Sequence, residues 1–251
     1  DTKTNDQILQ FNRRTALVMI YLLFILATVL GIWLALMTDV VVLLLGALCF
    51  FCGVVYSYGP IPISRQPWGE VISGLFYGLL IPFILLYVNM PEGTYLTLEL
   101  SWETVNLSFR VYPMLTVLLL AVAPFCTTAN IMLANNTSDV QKDILVKRYT
   151  LPYYLGTKRS LYLFAGLYYL VYLSVIVMTI VRMLHPICLL FLLTLIPVQK
   201  NINKFFEKQV KEETFIVSVQ NYVLIMGGAY PGGFGQRVFD LILHVYPKRI
   251  V

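Results

Sequence analysis

Asn136, Asp139 and Asp143 stand at i, i+3 and i+7 in the stretch Ala134-Asn135-Asn136-Thr137-Ser138-Asp139-Val140-Gln141-Lys142-Asp143. On a helix this spacing puts all three on one face, where two carboxylates and an amide oxygen can aim at a single point. Hard oxygens of this kind suit Mg²⁺, which keeps several waters and is commonly held by one or two carboxylates together with substrate phosphates. Lys142, Lys147 and Arg148 lie beside them, and such cations hold phosphate oxygens. The chemistry indicated is capture of a polyanion with a divalent metal. The bland alternative is a polar helix end anchored among lipid headgroups. It fits less well, because acidic residues are poor anchors at an anionic cytoplasmic surface.

The site begins where an apolar run ends, so the elements that position it are membrane elements. Of 251 residues, 59% are apolar and 12% charged, and the mean hydropathy is +0.77; soluble domains carry about a quarter of their residues charged. Apolar segments lie near residues 14–37, 40–57, 70–90, 110–134, 160–181, 184–199 and 214–230. Each can cross most or all of a hydrocarbon core about 30 Å thick. The expected fold class is all-α, a polytopic membrane helical bundle with about seven spanning helices in this chain. Soluble globular, disordered, collagenous, coiled-coil and nucleic-acid-binding classes are excluded. Residues 236–246, after Pro231-Gly232-Gly233-Phe234-Gly235, are either a broken continuation of the last helix or an interfacial piece. Residues 91–109 form an external excursion, a short strand or a surface helix. Residues 199–214 read as an amphipathic surface helix, an anchor or a lid.

The excess of five positive charges falls in alternate loops. Lys3, Arg13 and Arg14, then Arg65, then Lys142, Lys147, Arg148, Lys158 and Arg159, then Lys200, Lys204, Lys208 and Lys211 share one side, while Asp39, Glu92, Glu99 and Glu103 lie opposite. That asymmetry places the cation-rich side, and the candidate site, toward the cytoplasm of a multi-pass protein of the cell membrane. Lys248 and Arg249 run against the trend. Cys49, Cys52, Cys126 and Cys188 sit in apolar runs and read as buried thiols; the Cys49/Cys52 pair lacks the polar setting that zinc or redox chemistry needs. The polar opening from Asp1 has no signal-peptide pattern.

Asn135-Asn136-x-x-Asp139-x-x-x-Asp143, followed by Arg148-x-Thr150-Leu151-Pro152-x-x-Leu155-Gly156, resembles the second aspartate-rich motif of the UbiA superfamily of intramembrane prenyltransferases. Its opening and tail are similar to the 1,4-dihydroxy-2-naphthoate branch of menaquinone synthesis. Tyr56-Ser57-Tyr58-Gly59-Pro60-x-Pro62, then Gly69-Glu70 and Gly74-x-Phe76-x-Gly78, resemble a second stretch of that branch. The resemblance implies nine helices, two facing aspartate-rich motifs over a central cavity, and Mg²⁺ holding a polyprenyl diphosphate. Apart from Asn135, Asp139 and Asp143 themselves, the sequence holds no N-x-x-x-D-x-x-x-D that could serve as the first motif of that family. Residues 1–251 therefore read as a single transmembrane prenyltransferase-like domain lacking its first two helices. These are expected on a longer chain, on a partner, or lost together with catalysis.

On this reading Asp139 and Asp143 are catalytic metal ligands, with Asn136 as a third ligand. Asn135, Asn136, Lys142, Lys147, Arg148 and Arg65 bind substrate; Arg65 alternatively only marks the cytoplasmic side. Tyr56 and Tyr58 shield an allylic carbocation or belong to an interfacial aromatic belt. Glu70 contacts the acceptor, moves a proton, or complements a helix dipole. Asn130, costly against lipid, is expected to face the bundle interior. The implied partners are polyprenyl diphosphate, dihydroxynaphthoate and membrane lipid, with no nucleic acid and with homo-oligomerisation left open. Two alternatives stand beside this: a non-catalytic membrane subunit of the same fold, and transfer to a different aromatic acceptor. A solute transporter is disfavoured, because ionisable residues keep almost wholly to loops.

Overall fold

The computed structural model describes residues 12–60 and 62–229; the glycine-rich stretch 231–235, the apolar run 236–246 and the charges at 248 and 249 lie outside them. Asn12 opens α1 (Arg13–Met37), its side chain accepting from the Arg14 N–H at 3.1 Å. Asp39 opens α2 (Val40–Ser57) in the same way, accepting from Val42 at 3.1 Å. These caps satisfy amide hydrogens that a helix start leaves without intrahelical partners. Then come α3 (Gly69–Asn89) and, after a hairpin, α4 (Val111–Leu145). The short α5 (Leu151–Leu155) leads into α6 (Thr157–Ile180). A 3₁₀ segment at Pro186–Thr194 runs on into α7 (Leu195–Glu207), followed by α8 (Lys211–Thr214) and α9 (Ile216–Ala229).

Six elements are long and apolar enough to cross a membrane among the described residues: α1, α2, α3, α4, α6 and Pro186–Glu207. The chain is an all-α multi-pass membrane protein. The seventh expected span, 214–230, is represented by α9, whose 14 described residues fall short of the roughly 20 that a crossing needs. Of two further expectations, the strand alternative for 91–109 holds and the separate surface helix at 199–214 does not. Residues 91–109 contain strands, β1 (Leu96–Leu100) and β2 (Val105–Phe109), paired antiparallel with Leu96 opposite Phe109 and Leu100 opposite Val105. Residues 199–214 are not a separate surface helix. α7 carries the sixth apolar segment straight on to Glu207, and its inner face buries Val198, Ile202 and Phe205. The amphipathic pattern there reports one face packed in protein and one in solvent.

The chain forms two compact units, one from residues up to Pro62 together with Phe83–Pro113, the other from Ile63–Pro82 and from Met114 onward. In the first, α1 and α2 make a helical hairpin with Phe24 and Phe50 edge to face at 5.0 Å. The Tyr87 hydroxyl donates to the free Oδ2 of the Asp39 cap at 2.5 Å. Almost every apolar side chain of α1 is exposed, as suits a helix whose solvent is lipid.

The second unit holds the core. Leu133 of α4, Phe164 and Tyr168 of α6, Phe205 of α7 and Ile225 of α9 are fully buried together, with Phe164 edge to face with Tyr168 at 5.0 Å and tilted against Phe205 at 4.6 Å. Asn130 is inside this core, its amide donating to the Phe164 carbonyl at 2.9 Å. Pro124 interrupts the α4 hydrogen-bond ladder, and there the π-helical turn of α3, Gly74–Leu80, comes close. A Cβ added to Gly78 would overlap the backbone of Pro124 and Phe125. Of the four free cysteines only Cys126 is buried; Cys49, Cys52 and Cys188 are half-buried, because they lie on spanning elements whose outer faces this chain does not cover.

Candidate functional site

α4 runs unbroken past its apolar part to Leu145, so the face expected from Asn136, Asp139 and Asp143 exists. At about 52 Å for 35 residues, the helix exceeds the hydrocarbon thickness of about 30 Å, and its polar end extends beyond the apolar layer. All three side chains are buried, Asp139 and Asp143 at 8% and 6% exposure. The helix ends in a Schellman turn: Arg148 N–H bonds to the Asp143 carbonyl at 2.9 Å, Lys147 N–H to that of Ile144 at 3.1 Å, and Lys147 takes φ +55°. This turn folds the chain back and returns the Arg148 side chain toward Asp143.

Arg148 is the centre of the polar network. Its Nη1 donates to Asp143 Oδ1 at 3.3 Å, its Nη2 to Asn136 Oδ1 at 3.0 Å, and its Nε to the Ser64 carbonyl at 2.9 Å. Tyr149 N–H adds a bond to the Arg65 carbonyl at 3.0 Å. The 3₁₀ turn Ile63–Arg65 is thereby tied to the chain leaving α4. On its other side Asn136 donates to Glu70 Oε1 at 2.9 Å, and Glu70, one residue into α3, is buried. The two sequence stretches that resemble one family thus meet through side chains, in the order Glu70, Asn136, Arg148, Asp143.

Asp139 points to different partners. Lys211, the first residue of α8, bonds to its Oδ2, and Lys142 lies 3.9 Å from its Oδ1. Two carboxylates one turn apart repel each other, and the surrounding cations offset that repulsion. The other expected residues are spread more widely. Lys142 is 72% exposed; Lys147 and Arg65 are exposed, and Arg65 enters through its backbone alone. Asn135 is half-buried, one position off the acidic face. Tyr56 and Tyr58 end α2 in the first unit, Tyr58 at 79% exposure. In the tail of the motif, Thr150 stands at the N-cap position of α5 without a side-chain capping bond, Pro152 occupies its first turn and Gly156 takes φ +75° before α6. These residues shape the corner and are not part of the polar network.

Sequence reasoning does not single out Lys211, which lies in a stretch read as an anchor or a lid, and it leaves Glu70 between acceptor contact, proton transfer and a helix-dipole role. A lone carboxylate at the start of an apolar segment was the available signal for Glu70, since burial of a charge demands a partner. Nothing local marks Lys211, which reaches Asp139 only through the tertiary fold.

The donor set fits a hard cation in part. Asp143 Oδ2 and Glu70 Oε2 are buried acceptors without a hydrogen-bond partner among the described residues. The Asn136 oxygen, expected to face a metal, instead accepts from Arg148. Among the described residues no three His, Cys, Asp or Glu side chains converge, so a metal here would complete its shell with water or substrate oxygens, as Mg²⁺ commonly does.

Residues 10–214 match the UbiA prenyltransferase family. The 1,4-dihydroxy-2-naphthoate octaprenyltransferase of Bacillus subtilis (strain 168) is 25% identical over 161 residues, which cover 64% of this chain and 45% of that protein. The chain spans less than half the length of this curated relative. No solved structure matches the chain.

Proposed function

Because the chain belongs to the UbiA prenyltransferase family, we propose that it transfers a polyprenyl group from polyprenyl diphosphate to 1,4-dihydroxy-2-naphthoate. Both compact units belong to one prenyltransferase domain in this reading, set in the cell membrane with the cation-rich loops toward the cytoplasm. The observation that carries it is the buried network of Glu70, Asn136, Arg148 and Asp143 beside the Asp139–Lys211 pair. Taking charged groups out of water is costly even when they are paired, and such clusters concentrate at functional sites.

Asp139 and Asp143 are the residues that would hold Mg²⁺. The ion supplies charge neutralisation of the diphosphate leaving group. Arg148 fixes Asp143 and Asn136 in place through its planar fork, and Lys142, Lys147 and Arg65 add positive potential at the surface for an incoming diphosphate. Asn135 flanks the same helix end and contacts substrate. The role proposed for Tyr56 and Tyr58 is to shield an allylic cation from water. In the reaction the allylic C–O bond breaks and diphosphate leaves. The ring carbon bearing the carboxylate forms the new C–C bond, and that carboxylate departs as carbon dioxide, so its electron pair restores the aromatic ring.

One observation favours a second reading, a non-catalytic membrane subunit: both carboxylates are already paired with cations of the same chain. The protein in membranes, given labelled polyprenyl diphosphate and 1,4-dihydroxy-2-naphthoate, is expected to release carbon dioxide and form a prenylated naphthoquinol in Mg²⁺ but not in EDTA. Product with another acceptor alone would revise the substrate. No transfer to any aromatic acceptor would leave the subunit reading.

A further inference from the structure

Among the described residues, three cations surround the acidic pair, and they are held differently. Arg148 is committed through three hydrogen bonds to Ser64, Asn136 and Asp143. Lys142 is mostly in solvent. Lys211 makes one hydrogen bond among the described residues, to Asp139, and its side chain is 41% exposed.

The segment that carries Lys211 is built to present it. Lys208 Nζ bonds both carboxylate oxygens of Glu213 at 2.7 Å. Val210 N–H donates to Thr214 Oγ1 at 3.0 Å, and that hydroxyl donates back to the Val210 carbonyl at 3.0 Å. Gln209 Nε2 donates to the Phe205 carbonyl at 2.6 Å, tying the turn to the end of α7. Lys211 therefore meets Asp139 from a knitted corner rather than as a chance rotamer of a loose surface loop.

A carboxylate that is to take a divalent cation must first lose its counter-ion. A lysine ammonium is a compact point charge with rotatable donors on a flexible stem, and it can exchange a carboxylate oxygen for a phosphate oxygen without moving its backbone. Arg148 cannot do so without stranding Asn136 and Asp143.

Resting on the prenyl-diphosphate reading above, we propose that Lys211 is a substrate-binding residue that neutralises Asp139 while the site is unloaded and turns to the diphosphate when it is loaded. A consequence is linkage. Lys211 opposes metal binding to Asp139 when no diphosphate is present and favours the pair once it is, so the two ligands load together.

The test needs no turnover. Mn²⁺ binding to the detergent-solubilised protein is measured alone by electron paramagnetic resonance. Labelled inorganic pyrophosphate binding is measured at fixed Mn²⁺ by equilibrium dialysis. For Lys211→Gln, Mn²⁺ alone is expected to bind about five- to tenfold more tightly and pyrophosphate about tenfold more weakly. Lys211→Arg, which restores the charge, should keep pyrophosphate within about threefold of the parent. In an Asp139→Asn background, Lys211→Gln should leave Mn²⁺ affinity where Asp139→Asn alone puts it.

If Asp139→Asn abolishes Mn²⁺ and pyrophosphate binding while Lys211→Gln changes neither, the ammonium is a structural tie and the proposal fails with the site reading intact. A Lys211→Gln protein that does not fold, judged by size exclusion, likewise makes the ammonium a structural tie and overturns the proposal. If Asp139→Asn and Asp143→Asn leave both affinities at parental values, the site reading itself fails.

Discussion

Asn136 on α4 donates to Glu70 on α3 at 2.9 Å across 66 positions of sequence. The other end of the same amide accepts from Arg148, so one buried side chain links an acidic and a basic group. Glu70→Ala strands that amide. The expected result is a loss of about 1–3 kcal/mol in stability, measured by thermal unfolding in detergent, and a ten- to hundredfold fall in transfer. Glu70→Gln keeps an acceptor and should recover most of the stability.

Arg148→Lys keeps the charge but loses the fork. A lysine cannot satisfy the Ser64 carbonyl, Asn136 and Asp143 together in the geometry that Arg148 uses. Transfer should fall about ten- to hundredfold. A variant with parental kcat/KM would remove Arg148 from the organising role.

Lys147 occupies the left-handed position of the Schellman turn at φ +55°, where an L side chain is disfavoured and glycine is favoured. Lys147→Gly should therefore raise the thermal unfolding midpoint, by about 1 kcal/mol in stability. A lower midpoint would mean that the side chain contributes more than its backbone strain costs.

Glycines should divide by contact. Gly78→Ala drives a methyl group into the backbone of Pro124 and Phe125 and should cost about 1–3 kcal/mol or more, since packed interfaces adjust poorly. Gly46→Ala and Gly53→Ala on α2 meet nothing within 4 Å. They should be neutral or stabilising by up to about 1 kcal/mol. Unfolding midpoints of the three variants, measured side by side, check this.

The spanning helices are legible in sequence because lipid imposes a signal along one dimension: apolar length, and cations on one side. The acidic face of α4 is legible for a related reason, since one unbroken helix makes spacing equivalent to geometry. Glu70 is half-legible, as a charge that needed a partner which the sequence does not name. Lys211 is illegible, because its partner lies 72 residues away and its neighbours, Lys208, Glu212 and Glu213, form an ordinary surface charge run. The course of 199–214 differs from its sequence expectation because an amphipathic stripe is the same for a helix on lipid headgroups and for one packed on Phe164.

The central claim is that Asp139 and Asp143 serve Mg²⁺-dependent prenyl transfer. The direct measurement is label transfer from polyprenyl diphosphate to 1,4-dihydroxy-2-naphthoate by folded Asp139→Asn and Asp143→Asn proteins across a Mg²⁺ titration. The account predicts a loss on the order of a hundredfold or more in each, with a higher Mg²⁺ requirement. Parental rates at parental Mg²⁺ in either variant would contradict it.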